Sequence, residues 1–419
     1  MPQLDTVFSQ LAVNDRSTHS NGRATGAKTI ASPRLNTSAP DNLTQTCSRL
    51  LTLLSRLFDP VRRSPNFSPT LQHVKGLLYN KEYLAAFGTE SEEGERWREV
   101  YAARWVPARA VVYERIFEEL GVVKLLRWNA KGKEREWTEE EEEELEREVA
   151  RLRRRLKQEG KSADEVAAAA QAHQASARKV QPAPDVPTEV DVVMIGAGAG
   201  SEVVALGGVL GTAAVDAEQR RPRVRVKAVD QGSWSVLLGK MGGGLREEWP
   251  QLALQDAALD VDFVQGDVLS SSKAYTLQAD TSAPSQPSPL VDFSSPSLRL
   301  ITICFTISEL LLQSRISTLR FLSHISQSAP SSTRLLIVES ASLALIPLGK
   351  EGRTYPLGQL LDHALCGSEG KSGAWRIVKS DDAKWYRMPE GAEEVYNEGK
   401  GAHVKLENSR VVLRLYEKR

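Results

Sequence analysis

Three glycines in five residues, Gly196, Gly198 and Gly200, stand where the apolar run VVMI (192–195) gives way to a segment with Val203, Leu206 and Leu210 at helical spacing. A tight strand-to-helix turn favours residues without a Cβ, because the backbone must bend sharply and come close to a bound group. The first amides of the following helix attract a polar or anionic ligand group. Two acids stand at matching places downstream. Asp230 closes VRVKAVD (224–230), where a carboxylate can accept from both hydroxyls of a ribose. Asp267 closes VDFVQGD (261–267), within reach of an adenine edge. A glycine turn alone is ordinary punctuation, and an Asp after a strand is an ordinary helix cap. Together and in this order they predict an adenosine-containing ligand across three strand ends, held by Gly196, Ala197, Gly198, Gly200, Asp230, Gln231, Asp267 and Val268.

Strands and helices alternate around this turn. LRLITICF (298–305) and RLLIVES (334–340) read as two further strands, joined by a helix with Leu312, Ile316 and Leu319 on one face. That alternation predicts an open, mostly parallel α/β sheet. YPLGQLLDHAL (355–365) reads as a short helix, and AWRIVKS (374–380) with RVVLRLY (410–416) as a closing antiparallel pair. Residues 271–297, which include DTSAPSQPSPLVDFSSPS, read as a disordered insertion without a core of its own. Nicotinamide and flavin sites use GxGxxG or GxGxxA, whereas Ser201 takes the sixth position here. The closing pair resembles the Rossmann-like seven-strand sheet of class I methyltransferases, in which the last strand inserts antiparallel. That resemblance makes S-adenosylmethionine the expected cofactor.

Upstream, residues 1–46 are rich in Ser, Thr, Asn, Gly and Pro and read as a disordered arm. Residues 47–160 read as an N-terminal helical region. LLTLLSRLFDP (50–60) predicts a helix ending at Pro60, and Val112, Ile116 and Leu120 predict a second apolar face. WTEEEEEELEREVARLRRRLKQEG (137–160) opens with a capping box, Thr138 with Glu141, and places its acids before its bases, as the helix dipole favours. The acids one turn away make Arg151–Lys157 a solvated helix face rather than a nucleic-acid surface. An Ala- then Pro-rich linker covers 161–187, and the sheet domain follows over 188–419.

The composition narrows the function. Lys and Arg total 54 in 419 residues, and Asp and Glu also total 54, so any nucleic-acid contact has to be local. Cys47, Cys304 and Cys366 are too few and too scattered for a disulfide framework or a metal knuckle, which predicts a reduced intracellular chain without a metal. No apolar run approaches about eighteen residues, and MPQLDTVFSQ lacks the order of a secretory signal, so membrane and secreted readings fall away. A monomer is expected.

FTISELLLQSRISTLRFL (305–322), LLIVESAS (335–342), YPLGQLLDHAL (355–365), DDAKWYRMP (381–389) and VKLENSRVVLRLY (404–416) occur in one order. With that order the chain resembles a fungal family of S-adenosylmethionine-dependent methyltransferases that includes enzymes acting on N3 of a uridine in large-subunit ribosomal RNA. The resemblance covers about 190–419 and, more weakly, the helices before it. It implies ribosomal RNA or a pre-ribosomal particle as partner and a nuclear, nucleolar or cytoplasmic site of action. Two departures stand out: Ser308 takes a position where the family carries Asn, and the apolar ASLALIPLG (341–349) replaces an acidic or Gly-containing segment.

Methyl transfer from a sulfonium is an in-line displacement, so the protein chiefly aligns donor and acceptor. Uridine N3 carries a proton and is hidden in a duplex, so the nucleotide must be unpaired or extruded, and a side chain must help remove that proton. Glu309, Asp362 and His363 are the candidates, with Glu339 as a further carboxylate. Phe305, Trp385 and Tyr386 offer stacking surfaces, and Ser308 an edge contact. Arg387 and Arg414 are candidate phosphate holders, and Arg62, Arg63, Arg104 and Arg109 a candidate RNA-docking set on the helical region. Two competing readings are a NAD(P)- or flavin-dependent oxidoreductase, which would need a relay such as YxxxK that is absent after strand four, and a non-catalytic ribosome-assembly factor.

Overall fold

In the computed structural model, residues 43–126, 139–162, 165–171, 173, 189–213, 222–254, 259–270, 290–348, 353–367 and 373–419 are described. Helix α1 (Gln45–Arg63) starts at Thr44, whose hydroxyl oxygen accepts from the Cys47 amide. It runs through Pro60 and does not end there as predicted. Pro60 and Arg56 both face solvent, so the Arg56 carbonyl that Pro60 cannot bond is left to water. After α2 (Phe67–Tyr79) and the short α3 (Tyr83–Phe87) comes the long α4 (Glu92–Glu119), capped by Ser91 and carrying Glu92, Glu93 and Glu95 in its first turn. Seventeen of the 28 residues of α4 are buried, the charged Arg98, Arg104 and Glu114 among them, so its burial does not follow a simple apolar stripe. Val112 and Ile116 lie in the core as expected, and Leu120 is the cap residue before α5 (Val122–Leu126).

Seven strands form one sheet: β1 (Glu189–Ile195), β2 (Arg223–Asp230), β3 (Leu259–Gln265), β4 (Leu298–Cys304), β5 (Arg334–Ser340), β8 (Trp375–Tyr386) and β9 (Ser409–Lys418). Their order is β3-β2-β1-β4-β5-β9-β8. The first five are parallel, and β9 inserts antiparallel to both neighbours, with Val338 opposite Leu413 and Tyr386 opposite Ser409. This is the class I methyltransferase order. It reverses direction at β1 and β4, and ligands of open α/β sheets bind at that switch point, outside the carboxyl ends of the strands.

Helices α1 and α4 cover one face of the sheet together with α7 (Ser201–Thr212) and α8 (Ser235–Glu248), in a core that joins Leu50, Leu54, Val106 and Val111 to Met194, Val203 and Leu206. The helices up to Leu126 therefore belong to the same unit as the sheet. A second unit, 127–188, contains α6 (Glu139–Gln158) with a small core of Leu145, Val149 and Ala170. The basic side chains of 151–157 are exposed on α6. The capping residue Thr138, the arm up to residue 42 and most of the Pro-rich linker lie outside the described residues.

Helices α9 (Ile307–Gln313), α10 (Arg315–Ser328) and α11 (Leu357–Cys366) cover the other face. The expected single helix after β4 is two, broken at Ser314, whose extended backbone and hydroxyl cap α10. The break rotates the faces: Leu312 and Ile316 are each 55% exposed, while Leu319, Phe321, Leu322 and Ile325 are buried. The ASLALIPLG segment forms β6 (Leu345–Leu348), paired with β7 (Arg353–Pro356). Part of the expected insertion is core: Val291 and Phe293 are buried, with Phe293 5.9 Å from Phe321, while Asp292 between them stays in solvent, so alternate residues face inward. Residues 271–289 lie outside the described residues.

Candidate active site

Gly196 and Gly200 have φ of +73° and +78°, the left-handed backbone that only glycine adopts without strain. What presses on the turn is the chain itself. A Cβ on Gly196 would lie 2.1 Å from Thr306 Oγ1, and one on Gly198 would lie 2.0 Å from Trp234 Cδ1. Gly198 donates its amide to Asp230 Oδ2 at 3.1 Å, while Oδ1 accepts from the Gly232 amide (2.8 Å) and the Trp234 indole (3.0 Å). Burial holds the Asp230 carboxyl above the usual range, and these donors pull it back. Its Oδ2 keeps an acceptor position. At the mouth, Asp267 Oδ1 accepts from the Leu269 amide (2.8 Å) and Oδ2 from Gln313 Nε2 (3.1 Å). Gln313 Oε1 in turn accepts from Gln231 Nε2 at 3.4 Å. The ends of β1, β2 and β3 thus carry all eight residues that the sequence assigns to the ligand, with Ala197 and Val268 buried beside their neighbours.

A cluster of acids completes the crevice. Glu309, on the first turn of α9, is pushed up to about 7 by burial and by the charge of Glu339; Arg109 and a hydrogen bond from Tyr83 act the other way. Glu339 ends β5, buried, with Oε2 accepting from the Ser308 amide (3.0 Å) and Oε1 from the Ser340 amide (2.8 Å). Glu202, just past the glycine turn, accepts from Thr302 Oγ1 at 2.6 Å and is pushed up to about 7 by burial. Arg109 is the cation that reaches this group. It donates to the Tyr101 hydroxyl at 2.9 Å and lies 5.2 Å from the Phe305 ring centre. Burial works against its charge, but Tyr101, Tyr113 and Glu309 outweigh it and hold Arg109 protonated. Phe305 is a non-glycine residue at φ +53°, a strained backbone of the kind found at functional sites.

Other candidates go elsewhere. Asp362 accepts from Arg414 Nε (3.1 Å) and from the Tyr416 hydroxyl (2.7 Å), so it pairs with β9. Arg414 is buried on Asp362 and Asp382, so it is no phosphate holder. His363 is half-buried on α11, its carbonyl closing the helix end on Gly367. Ser308 is buried, with its amide on Glu339. Trp385 is exposed at the end of β8 beneath Arg410, whereas Tyr386 is core, its hydroxyl on Glu119. Arg387 gives its carbonyl to Arg115.

The docking set is corrected as well. Arg62 is buried on Ser55, Asn397 and the Tyr396 ring, and Arg104 is buried on Glu407 and the Lys405 carbonyl. Arg109 lies in the crevice, which leaves Arg63 as the exposed member, paired with Asp59 at 2.7 Å. Their helix faces pack inward against the sheet and the carboxyl-terminal segment. Glu202 and Tyr83 had no part in the sequence reading. For Glu202 a signal existed: it is the one charge in SEVVALGGVLG, an otherwise apolar helix. Among the described residues no group of three or more His, Cys, Asp or Glu could hold a metal, and no helix is long and apolar enough to cross a membrane.

Residues 54–417 match the family described as "Putative SAM-dependent methyltransferase". The chain is 24% identical over 388 residues to the 25S rRNA (uridine(2843)-N(3))-methyltransferase of Saccharomyces cerevisiae, over 88% of this chain and 83% of the relative. Similar solved structures include a methyltransferase from Methanosarcina mazei, with a TM-score of 0.32 and 11% identity over 55% of this chain and 93% of that one. Another is a methyltransferase from Clostridium acetobutylicum, with a TM-score of 0.28 and 10% identity over 55% of this chain and 84% of that one.

Proposed function

Because this chain belongs to the S-adenosylmethionine-dependent methyltransferase family, which its residues 54–417 match, we propose that it methylates N3 of a uridine in large-subunit ribosomal RNA. The same membership supports methyl transfer and not the hydride transfer of an oxidoreductase. S-adenosylmethionine supplies an electrophilic methyl group on a positively charged sulfonium. The residues present suit it. The turn at Gly196–Gly200 offers backbone, Asp230 keeps an acceptor position for a hydroxyl, and Gln231, Asp267 and Val268 edge the adenosine side. Burial holds Glu202, Glu309 and Glu339 above the usual carboxyl range, and a cationic ligand beside them favours their charged forms. Arg109 is the group for a carboxylate of the ligand.

The observation that carries the substrate reading is Glu309: a carboxyl near 7, one helical turn from the strained Phe305. A carboxyl in that range can take the N3 proton at neutral pH, and Tyr83 holds it in place. Phe305 offers a ring face to an extruded base, and Arg109 fixes that ring. Asp362 and His363 have no part in this scheme. A ribosomal-RNA substrate supports a nuclear, nucleolar or cytoplasmic site of action. The test is to incubate the purified protein with S-adenosylmethionine and large-subunit ribosomal RNA and to map the modified nucleosides. A 3-methyluridine that is lost with Asp230→Ala is expected; a methyl group on another atom, or none, overturns the reading.

A further inference from the structure

A cavity of about 430 Å³ opens between the start of α1, the last turns of α4 and the end of β8, and shares no lining residue with the glycine turn. Glu114 lies in its wall, buried, with Oε1 accepting from Thr44 Oγ1 at 3.2 Å. Among the described residues its Oε2 has no hydrogen-bond partner. A buried carboxyl oxygen without a donor is destabilising, and a ligand that brings an N–H relieves it. Burial and the neighbouring Glu118 push Glu114 up to about 7, while the Thr44 hydroxyl and Arg115 act the other way. Trp385 lines the same cavity, 49% exposed, with the Arg410 guanidinium 5.8 Å from its ring centre. An indole face and a buried acceptor together select a planar ring with an N–H edge. Arg115 and Lys384 share the lining with Glu118 and Glu119, and Lys384 is paired with Glu119.

The cavity is well placed for a polymer that also enters the crevice. Ser340 of β5 pairs with Val411 and Tyr386 of β8 with Ser409, so the cavity lies at the same end of the sheet as Glu339 and Phe305. We propose that it receives a guanine base flanking the methylated uridine, with N1–H and N2–H turned to Glu114 and the ring against Trp385. Guanine presents two adjacent donors to a carboxyl. Adenine and cytosine pair one donor with an acceptor nitrogen, and uracil flanks its donor with two carbonyls. The inference rests on the RNA methyltransferase reading.

The test uses the full chain and fluorescein-labelled RNA pentamers: five uridines, the same RNA with a central guanosine, and one with a central 1-methylguanosine, which lacks the N1–H. Fluorescence anisotropy is expected to show guanosine binding about tenfold tighter than uridine, and 1-methylguanosine falling back to within about twofold of it. Glu114→Gln removes the preference while S-adenosylmethionine affinity, read by calorimetry, is unchanged. Trp385→Ala, a surface change that does not threaten folding, weakens the guanosine pentamer by about tenfold. Equal binding of all three pentamers by the unaltered protein overturns the proposal, as does a preference that survives 1-methylation. Methyl transfer is assayed separately. Transfer without a guanosine preference sinks this site alone, and a preference without transfer sinks the uridine reading alone.

Discussion

Gly198 donates its backbone amide to Asp230 Oδ2 across 3.1 Å, tying the turn after the first strand to the end of the second. The same carboxylate holds the Gly232 amide and the Trp234 indole. Asp230→Asn keeps the size of the side chain but turns one acceptor into a donor that faces other donors. Affinity for S-adenosylmethionine should fall by at least about tenfold, with a loss of about 1–3 kcal/mol in folding stability. Calorimetry and urea unfolding measure the two; unchanged affinity would remove Asp230 from the binding site.

Glu309 titrates at about 7 in the free protein, raised by burial and Glu339 and restrained by Arg109 and Tyr83, with Asp230 adding to the rise. As a base it works deprotonated, so kcat/KM should climb as pH increases from about 6 to 8 and level off above. Glu309→Gln should flatten that limb and lower the plateau by about a hundredfold or more. Steady-state rates across pH decide it: a limb that persists in the variant assigns the proton elsewhere.

The pH dependence of stability has a definite sign. Glu114, Glu202 and Glu309 are each raised from 4.5 to about 7 in the folded chain. Their folded pKa values lie above the unfolded ones, so the stability tied to their protonation is complete below 4.5 and is lost as pH rises through 7. Urea midpoints at pH 5.5 and 8.0 should show the lower pH as the more stable, and Glu202→Gln should shrink the difference.

Arg109 is the cation facing Glu309 and Phe305. Arg109→Ala should raise the Kd for S-adenosylmethionine by about tenfold, the effect of about 1.4 kcal/mol, and move the acid limb of the rate profile upward. Arg109→Lys should restore the charge but not the planar contact with Phe305, and so should recover affinity only in part. An alanine variant with normal affinity would refute the role.

Asp362 is paired with the buried Arg414. Asp362→Ala should cost about 3 kcal/mol of stability by leaving that guanidinium short of its partner, with cofactor affinity intact. A variant that is stable but inactive would return Asp362 to the catalytic candidates.

The strands around the glycine turn were legible because their apolar runs are bounded by Gly and Asp, and Asp230 and Asp267 follow from the strand ends alone. The acid cluster was less so. Tyr83 and Glu309 meet from distant parts of the chain, and only folding of α3 against the crevice brings them together. Arg109 looked like one of several scattered basic residues, since nothing in a sequence separates an arginine on an inward face from one in solvent when charges occur on every side of the helix. Leu312 and Ile316 were misplaced for a local reason: the break at Ser314 resets the helical phase that links them to Leu319.

Helix α4 carries Tyr113 toward Phe305 and, one residue later, Glu114 into the second cavity. Adjacent rungs of one rigid rod therefore touch both binding places. A tilt or slide of that rod is a route for coupling between the two, and thermodynamic reciprocity then demands that whatever factor occupancy of one puts on the affinity of the other is returned unchanged.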